Sequence, residues 1–325
     1  MSAYLLRRVL YAIPILIGVN LITFALFFIV NTPDNMARVH LGVKRVTADA
    51  IAKWKHERGY DKPRFVNPAA SGLGKVTDTI FAEKSLSLFA LQFGRADDGR
   101  DIGADIRQRM WPSLAIAVPS LLVGLLINIT FGMVLAFFRG TYLDVWGVVL
   151  CVILLSISSL FYIIGGQYLI AKLLRLVPIS GYDTGLAAAK FVVLPVAVGV
   201  LSGIGAGTRL YRTIFLEEMG KDYMRTARAK GFSEIRVLFG HGLKNALVPI
   251  LTGVVAILPL LFLGSLILES FFGIPGLGSY TIDDIRSQDF AIVRAMVFLG
   301  SLLYIVGLVL TDVSYTVVDP RIRLR

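Results

Sequence analysis

Residues 110–138 read MWPSLAIAVPSLLVGLLINITFGMVLAFF, a run that contains no Asp, Glu, Lys or Arg. A helix needs about 20 mainly apolar residues to cross the hydrocarbon layer of a bilayer. Inside that layer every backbone N–H and C=O group must find a partner within the protein, and a helix provides these partners within one segment. The run therefore predicts a transmembrane helix.

Five further runs share this lack of charge and this richness in Leu, Ile, Val and Phe. They are Val9–Pro33, Val145–Ala171, Phe191–Thr208, Asn245–Leu268 and Ala295–Thr311. The period-two alternation of a transmembrane β-barrel is absent from them. The first run is longer than the about 7–15 apolar residues of a signal peptide, so we interpret it as a retained helix. We predict an all-α integral membrane protein with six transmembrane helices.

The composition excludes a soluble fold. Hydrophobic residues make up 56% of the chain and charged residues 17%, whereas soluble domains carry roughly 25% charge. The net charge of +11 comes from basic residues that flank the apolar runs, as in proteins that lie on acidic lipid. We therefore expect a lipid membrane and no nucleic acid as partner. Cys151 is the only cysteine, so an internal disulfide is excluded.

The distribution of Lys and Arg predicts the orientation in the cell (inner) membrane. Short loops rich in these residues stay in the cytoplasm, and six spans place residues 1–8, 139, 209–244 and 321–325 on that side. Both termini are then cytoplasmic. Residues 34–109 carry charges of both signs in a long segment, which we place outside the cell.

The predicted domains follow from this orientation. Residues 1–33 form the N terminus and the first helix, residues 34–109 a small extracytoplasmic insertion, and residues 110–325 the core with helices two to six. Within the insertion, Thr47 to Arg58 is typical of a short helix with Thr47 as its N-cap.

The loop 209–246 carries the most information. Its pattern favours a helix up to Lys230, and Gly231 suits the position after a helix, where φ is positive. Ser233 can cap a second helix, with Glu234 in its first turn. A connection between two spans needs only a few residues, so a rigid helical elbow suggests contact with another protein. A solvated amphipathic loop is the alternative.

Residues 222–231, DYMRTARAKG, and 241–249, HGLKNALVP, resemble the coupling loop of the permease subunits of peptide, oligopeptide and nickel ATP-binding-cassette importers. Four other segments are similar to the first of the two permeases in these systems: residues 4–19, 177–182, 272–279 and 319–323. In the wider superfamily the loop begins Glu-Ala-Ala, with Gly six residues after the Glu. Arg225, Thr226, Ala227 and Gly231 hold those places, so the first two depart from the general pattern.

The resemblance implies a set of partners. They are a second permease, with which this chain would form a heterodimer, two cytoplasmic ATPase subunits that bind ATP and Mg, and an extracytoplasmic solute-binding protein. The residues expected to contact an ATPase are Tyr223, Arg225, Thr226, Ala227, Arg228, Ala229 and Gly231. This chain should bind no cofactor and be non-catalytic, since Gly74-Lys75 is followed by Val76 and lacks the other residues of a phosphate loop.

Polar residues inside the apolar runs are candidates for pore lining. They are Asn128, Ser156, Ser158, Ser159 and Gln167. Such groups face the bundle interior or a wet cavity, and helix–helix contact is the alternative. His40, His56 and His241 lack metal-ligand spacing, so no metal site is expected. After the fifth run, Gly273 to Gly278 should break the helix, and Tyr280 to Arg286 should form an amphipathic turn of an external re-entrant element.

Together these patterns predict the permease subunit of an ATP-driven, binding-protein-dependent importer for peptides or peptide-like solutes. Alternating access would be driven by an ATPase pair docked on the loop 209–246. The alternative is a secondary-active transporter without an ATPase partner, which usually shows repeated halves and ionisable residues at mid-membrane. Peptide, peptide-like antibiotic, nickel chelate and sugar all stay open as substrates.

Overall fold

The computed structural model describes residues 2–42 and 46–318, and the predicted motif at 319–323 lies outside them. The regular elements of the described residues are helices, without a β-strand. The α-helices are α1 Ser2–Ala25, α2 Pro33–Leu41, α3 Ala48–Arg58, α4 Gly74–Thr77, α5 Ile80–Lys84, α6 Ile102–Phe137, α7 Tyr142–Ser156, α8 Ser159–Gly166, α9 Ala189–Met219, α10 Asp222–Ala229, α11 Glu234–Val237, α12 Lys244–Ile257, α13 Leu266–Phe272, α14 Leu277–Ser287 and α15 Phe290–Val318. Wider π-turns continue three of them, at Leu26–Val30, Gln167–Leu173 and Leu238–Leu243.

Five helical segments of the described chain are long and apolar enough to cross a membrane. They are Leu10–Val30, Ile102–Phe137, Ala189–Met219, Glu234–Leu263 and Phe290–Ser314. The helices Tyr142–Ser156 and Ser159–Leu173 are together also long and apolar enough, but they meet at a bend of 85°. The predicted fold class, an all-α integral membrane protein, is confirmed. The expectation that Val145–Ala171 forms one continuous helix is wrong.

The bend between α7 and α8 has a local cause. Ile157 and Ser158 adopt extended backbone conformations, with ψ of 124° and 143°. The Ser156 hydroxyl donates to the Val152 carbonyl at 2.8 Å, a back-bond that bends helices. The Tyr162 hydroxyl donates to the Leu154 carbonyl at 2.8 Å, so a carbonyl at the end of α7 is satisfied from α8.

The described chain divides into two compact units, which we call unit 1 (residues 2–42, 46–109 and 280–309) and unit 2 (residues 110–279 and 310–318). Unit 1 has an aromatic-rich core formed by Phe24, Phe28, Met36, Ala37, Ile51, Trp54, Tyr60 and Ile80. Its helix α3 begins after Thr47, whose hydroxyl accepts the Ala50 N–H at 3.3 Å. The predicted N-cap is therefore confirmed.

Unit 2 depends on close contact between α7 and α9. A Cβ atom added at Gly205 would overlap the Cys151 carbonyl oxygen and lie 2.9 Å from the Leu155 nitrogen. Small residues of this kind let two helices approach closely in a membrane protein, where packing drives helix association. The glycine thus brings the two backbones together.

Candidate functional site: the elbow and the re-entrant segment

The chain between α9 and α12 contains a helical elbow, which we define as residues 220–237. Most of residues 211–230 are helical, as predicted, although Lys221 has an extended backbone (φ −74°, ψ 153°) and separates α9 from α10. Gly231 has a φ of 79°, which confirms the predicted left-handed residue after the helix. Ser233 occupies the predicted N-cap position of α11, although its side chain makes no capping hydrogen bond.

The elbow has its own small core. Met224, Ala227 and Val237 are buried, and Met219 and Tyr223 pack against them. Met224 and Ala227 are three residues apart, so they lie on the same face of α10 and turn towards α11. The buried position of Ala227 corrects the expectation that its side chain belongs to the ATPase contact surface.

The other residues predicted for this surface are at least partly accessible. Arg225, Thr226, Ala229 and Gly231 are exposed, while Tyr223 and Arg228 are half-buried. The Arg228 guanidinium donates to the Glu234 carboxylate at 3.0 Å and thereby links α10 to α11. We call the accessible surface formed by these six residues the polar face of the elbow.

Two apolar side chains follow the polar face in sequence, since Ile235 is 69% exposed and Phe239 is 52% exposed. Both lie in Glu234–Leu263, one of the segments apolar enough to cross a membrane, so contact with lipid accounts for their exposure.

A buried carboxylate anchors α10 to the end of α9. Glu218 accepts hydrogen bonds from the Tyr223 hydroxyl and from the Lys221 ammonium group. Burial, together with the hydrogen bond to Glu218, raises the pKa of Tyr223 to about 12. The tyrosine therefore stays protonated and remains a donor at physiological pH.

The opposite side of α9 is tied to α7 by an ion pair. The Arg212 guanidinium donates to both carboxylate oxygens of Asp144, each at 2.7 Å. Asp144 also accepts the Gly140 N–H at 3.0 Å. Bidentate pairs of this type have defined geometry as well as strength, so a displacement of α9 should also move α7.

Two of the predicted pore-lining residues form hydrogen bonds with other segments of unit 2. Asn128 is buried and accepts a hydrogen bond from the Thr208 hydroxyl at 2.9 Å, which joins α6 to α9. The Gln167 amide donates to the Ile179 and Phe271 carbonyls at 3.1 and 3.0 Å. Ser156, Ser158 and Ser159 are exposed around the break in the third span. The pore-lining role of all these residues stays a prediction.

Residues 264–287 contain α13, a glycine-rich turn and α14. We call them the re-entrant segment after the sequence prediction, and their position in the membrane stays a prediction. Gly273 has a φ of 65° and ends α13, which confirms the predicted break. Helix α14 contains the amphipathic turn predicted from Tyr280 to Arg286, but it begins three residues earlier, at Leu277. Helix α14 can begin there because the N–H groups of Gly278 and Ser279, in its first turn, donate to the carboxylate of Glu269, which lies outside the helix.

Glu269 is the centre of this segment and was not recognised from the sequence. Only 1% of it is exposed, and its carboxylate accepts the N–H groups of Ser265, Gly278 and Ser279 at 3.0, 2.7 and 3.1 Å. Burial raises the pKa of Glu269, while these hydrogen bonds oppose the rise. The available signal was a single acidic residue before a glycine-rich stretch.

The glycines around Glu269 are required by close approach. A Cβ atom at Gly278 would lie 2.6 Å from both the carbonyl carbon and the carbonyl oxygen of Ser265. One at Gly276 would lie 2.5 Å from the Ser113 hydroxyl oxygen. That hydroxyl accepts the Leu277 N–H at 2.8 Å, so a second side chain fixes the start of α14.

These features define a polytopic α-helical membrane protein of the transport class. A family model described as "Binding-protein-dependent transport system inner membrane component" matches residues 128–324, and the corresponding N-terminal model matches residues 1–83. The chain belongs to this family of binding-protein-dependent importer permeases. The family is one of non-catalytic, multi-pass inner-membrane subunits.

Curated relatives match over nearly the whole length. A "Putative peptide transport system permease protein" of Brucella abortus (strain 2308) is 31% identical over 99% of both chains. The "Oligopeptide transport system permease protein AppB" of Bacillus subtilis (strain 168) is 30% identical, again over 99% of both. The "Glutathione transport system permease protein GsiC" of Salmonella paratyphi A is 28% identical over 100% of both. The resemblance to peptide-importer permeases is confirmed.

Proposed function

We propose that this chain is the transmembrane permease subunit of an ATP-driven importer for peptides or peptide-like solutes. The names of the relatives, which refer to peptide, oligopeptide and glutathione transport, support this substrate class. ATP and Mg would be bound by two partner ATPase subunits. A second permease and an extracytoplasmic solute-binding protein would complete the complex.

The observation that carries the proposal is the anchored elbow. Its α10 is joined to α9 through Glu218, and its α11 continues through the π-turns into α12. A force on the polar face of the elbow is therefore transmitted to two spans. In our proposal, closure of the ATPase pair moves the elbows of the two permeases together. This movement changes the side of the membrane to which the pore is open.

The elbow is tested by replacing Gly231 with valine. A Cβ atom there would meet no atom within 4 Å, so the effect is conformational. We expect a left-handed β-branched residue to cost roughly 1–2 kcal/mol, which tilts α11 while the spans still insert. Membrane levels should stay near normal, whereas ATPase co-purification and peptide uptake should fall severalfold.

A matched control and a second variant sharpen this test. Gly240 also has free space around its Cβ position and lacks a positive φ, so Gly240→Ala should transport normally. Ala229→Trp adds bulk to the exposed face without entering the elbow core, and should block docking as Gly231→Val does. Normal uptake and full ATPase retention in both Gly231→Val and Ala229→Trp would refute the proposal. Uptake without any ATPase would favour secondary transport.

The orientation is a separate prediction that single-cysteine labelling can check. Ser71 and Ser233 are exposed, and the native Cys151 is buried and should not react. In intact cells that express the chain alone, a membrane-impermeant maleimide should label Ser71→Cys but not Ser233→Cys. Permeabilised cells should show labelling of both. Labelling of both in intact cells would contradict the predicted topology.

A further inference from the structure

Unit 1 contains an acidic cavity of about 490 Å³. Five aspartates line it: Asp97, Asp98, Asp283, Asp284 and Asp289. Arg100 and His40 also line it, and the Nδ1 of His40 lies 3.4 Å from Asp97. Aspartates therefore outnumber the basic residues here, although the whole chain has a net charge of +11. A concave site in which one sign of charge predominates raises the local concentration of ligands with the opposite sign, so the cavity favours a cation.

Three of these aspartates have partners within the protein. Asp97 accepts a hydrogen bond from the Arg58 guanidinium at 2.7 Å, and Asp98 pairs with Arg100. Asp289 accepts the Asp97 N–H at 2.6 Å and two N–H groups at the start of α15. Each of these three carboxylates therefore has hydrogen-bond or ion-pair partners within the protein.

Asp284 is different, because it is buried without such compensation. Only 8% of it is exposed, and its Oδ2 has no hydrogen-bond partner among the described residues. The nearby cations are engaged elsewhere: Arg100 also donates to Asp105 at 2.9 Å, and Arg109 lies over the Tyr280 ring. A buried unpaired carboxylate is costly and calls for a partner.

The electrostatics agree with the geometry. Burial, and then the negative charge of Asp289, raises the pKa of Asp284 to about 7. A cation bound beside Asp284 would lower this pKa, because an opposite charge favours the ionised form. Ligand binding and ionisation of this side chain are thus coupled.

The kind of ligand that would donate to Asp284 can be inferred by comparing a metal ion with an ammonium group. The described residues contain no group of three or more His, Cys, Asp or Glu side chains arranged to hold a metal ion, and a calcium ion requires about six to eight converging oxygens. A primary ammonium group has three N–H donors and no acceptor. It can bind a single buried carboxylate and leave the rest of a small solute in the cavity, whose volume lies in the range of ligand sites, about 300–1,000 Å³.

We propose that this cavity binds the primary ammonium group of a small solute, with Asp284 as the acceptor. The identification of this group as the free amino terminus of a peptide rests on the proposed function, whereas ammonium binding itself does not. The preference would be for peptides with an unmodified amino terminus.

The test uses the purified full chain in nanodiscs, without ATPase subunits. Thermal unfolding is followed with alanylalanine, with N-acetyl-alanylalanine and with calcium chloride. Of these three compounds, only alanylalanine should raise the melting temperature of the chain. Asp284→Asn should weaken its binding at least about tenfold, the loss expected for a hydrogen bond between charged groups. The exposed Asp183→Asn is the control and should bind as the parent chain does.

The ligand-free stability of Asp284→Asn separates binding from a structural role. Removing an uncompensated buried charge should raise the ligand-free melting temperature while the response to alanylalanine disappears. Equal shifts with the acetylated peptide, or an equal shift with calcium, would overturn the proposal. A lower ligand-free melting temperature with an unchanged response would overturn it too. If the assembled transporter shows no peptide uptake although its permease still binds alanylalanine, this result contradicts the proposed import function and leaves the ammonium site intact.

Discussion

Replacement of Glu269 by alanine is expected to unfold the re-entrant segment and abolish uptake. The carboxylate is the acceptor for three N–H groups, from Ser265, Gly278 and Ser279. Each buried donor left unsatisfied costs about 1–3 kcal/mol, so we expect a loss of roughly 3 kcal/mol or more in local stability. Hydrogen exchange at residues 264–280 should rise sharply, and thermal unfolding of the purified chain should shift to lower temperature.

Two further variants, a control and a partial loss of the acceptor, test whether the effect comes from the Glu269 carboxylate. Glu217→Ala removes an exposed carboxylate in α9 and should leave hydrogen exchange in the segment unchanged. Glu269→Gln keeps one acceptor oxygen but turns an NH₂ group towards N–H donors, so it should lie between the parent and Glu269→Ala. If Glu269→Ala exchanges no faster than Glu217→Ala, the carboxylate does not hold the turn.

Substitution of Gly205 by alanine should separate α7 from α9. The new Cβ would overlap the Cys151 carbonyl oxygen and lie 3.1 Å from the Leu155 Cβ. Because backbone atoms cannot move aside as flexible side chains do, α7 must shift as a unit. Overpacking of this type costs about 1–3 kcal/mol, occasionally more, and we expect the upper part of this range. Thermal unfolding in detergent and the yield of folded protein measure the effect.

Gly203 provides a matched control on the same helix. Its Cβ position is free of neighbours within 4 Å, and alanine favours a helix over glycine by about 1 kcal/mol. Gly203→Ala should therefore be neutral or slightly stabilising. Equal melting temperatures for Gly203→Ala and Gly205→Ala would show that the contact with α7 tolerates a methyl group.

Features that depend on residues close together in the chain could be predicted from the sequence. Apolar length predicts the membrane helices, since a span must satisfy its own backbone in lipid. The Thr47 cap and the left-handed Gly231 were also predictable, because one residue and its immediate neighbours decide each conformation. The same holds for the break at Gly273. The loop motifs around Gly231 indicated the family, which the whole-chain comparisons confirm.

Contacts between side chains that are distant in sequence could be read from the three-dimensional structure alone. Ala227 lies inside the elbow because Val237 packs against it, and Asn128 is engaged because Thr208 lies on the neighbouring helix. Glu269 is satisfied by N–H groups that precede and follow it in the chain, while Asp284 is buried without a donor for its Oδ2 among the described residues. Burial and pairing of a polar group depend on residues distant in sequence, so the local pattern shows the group but not its partner.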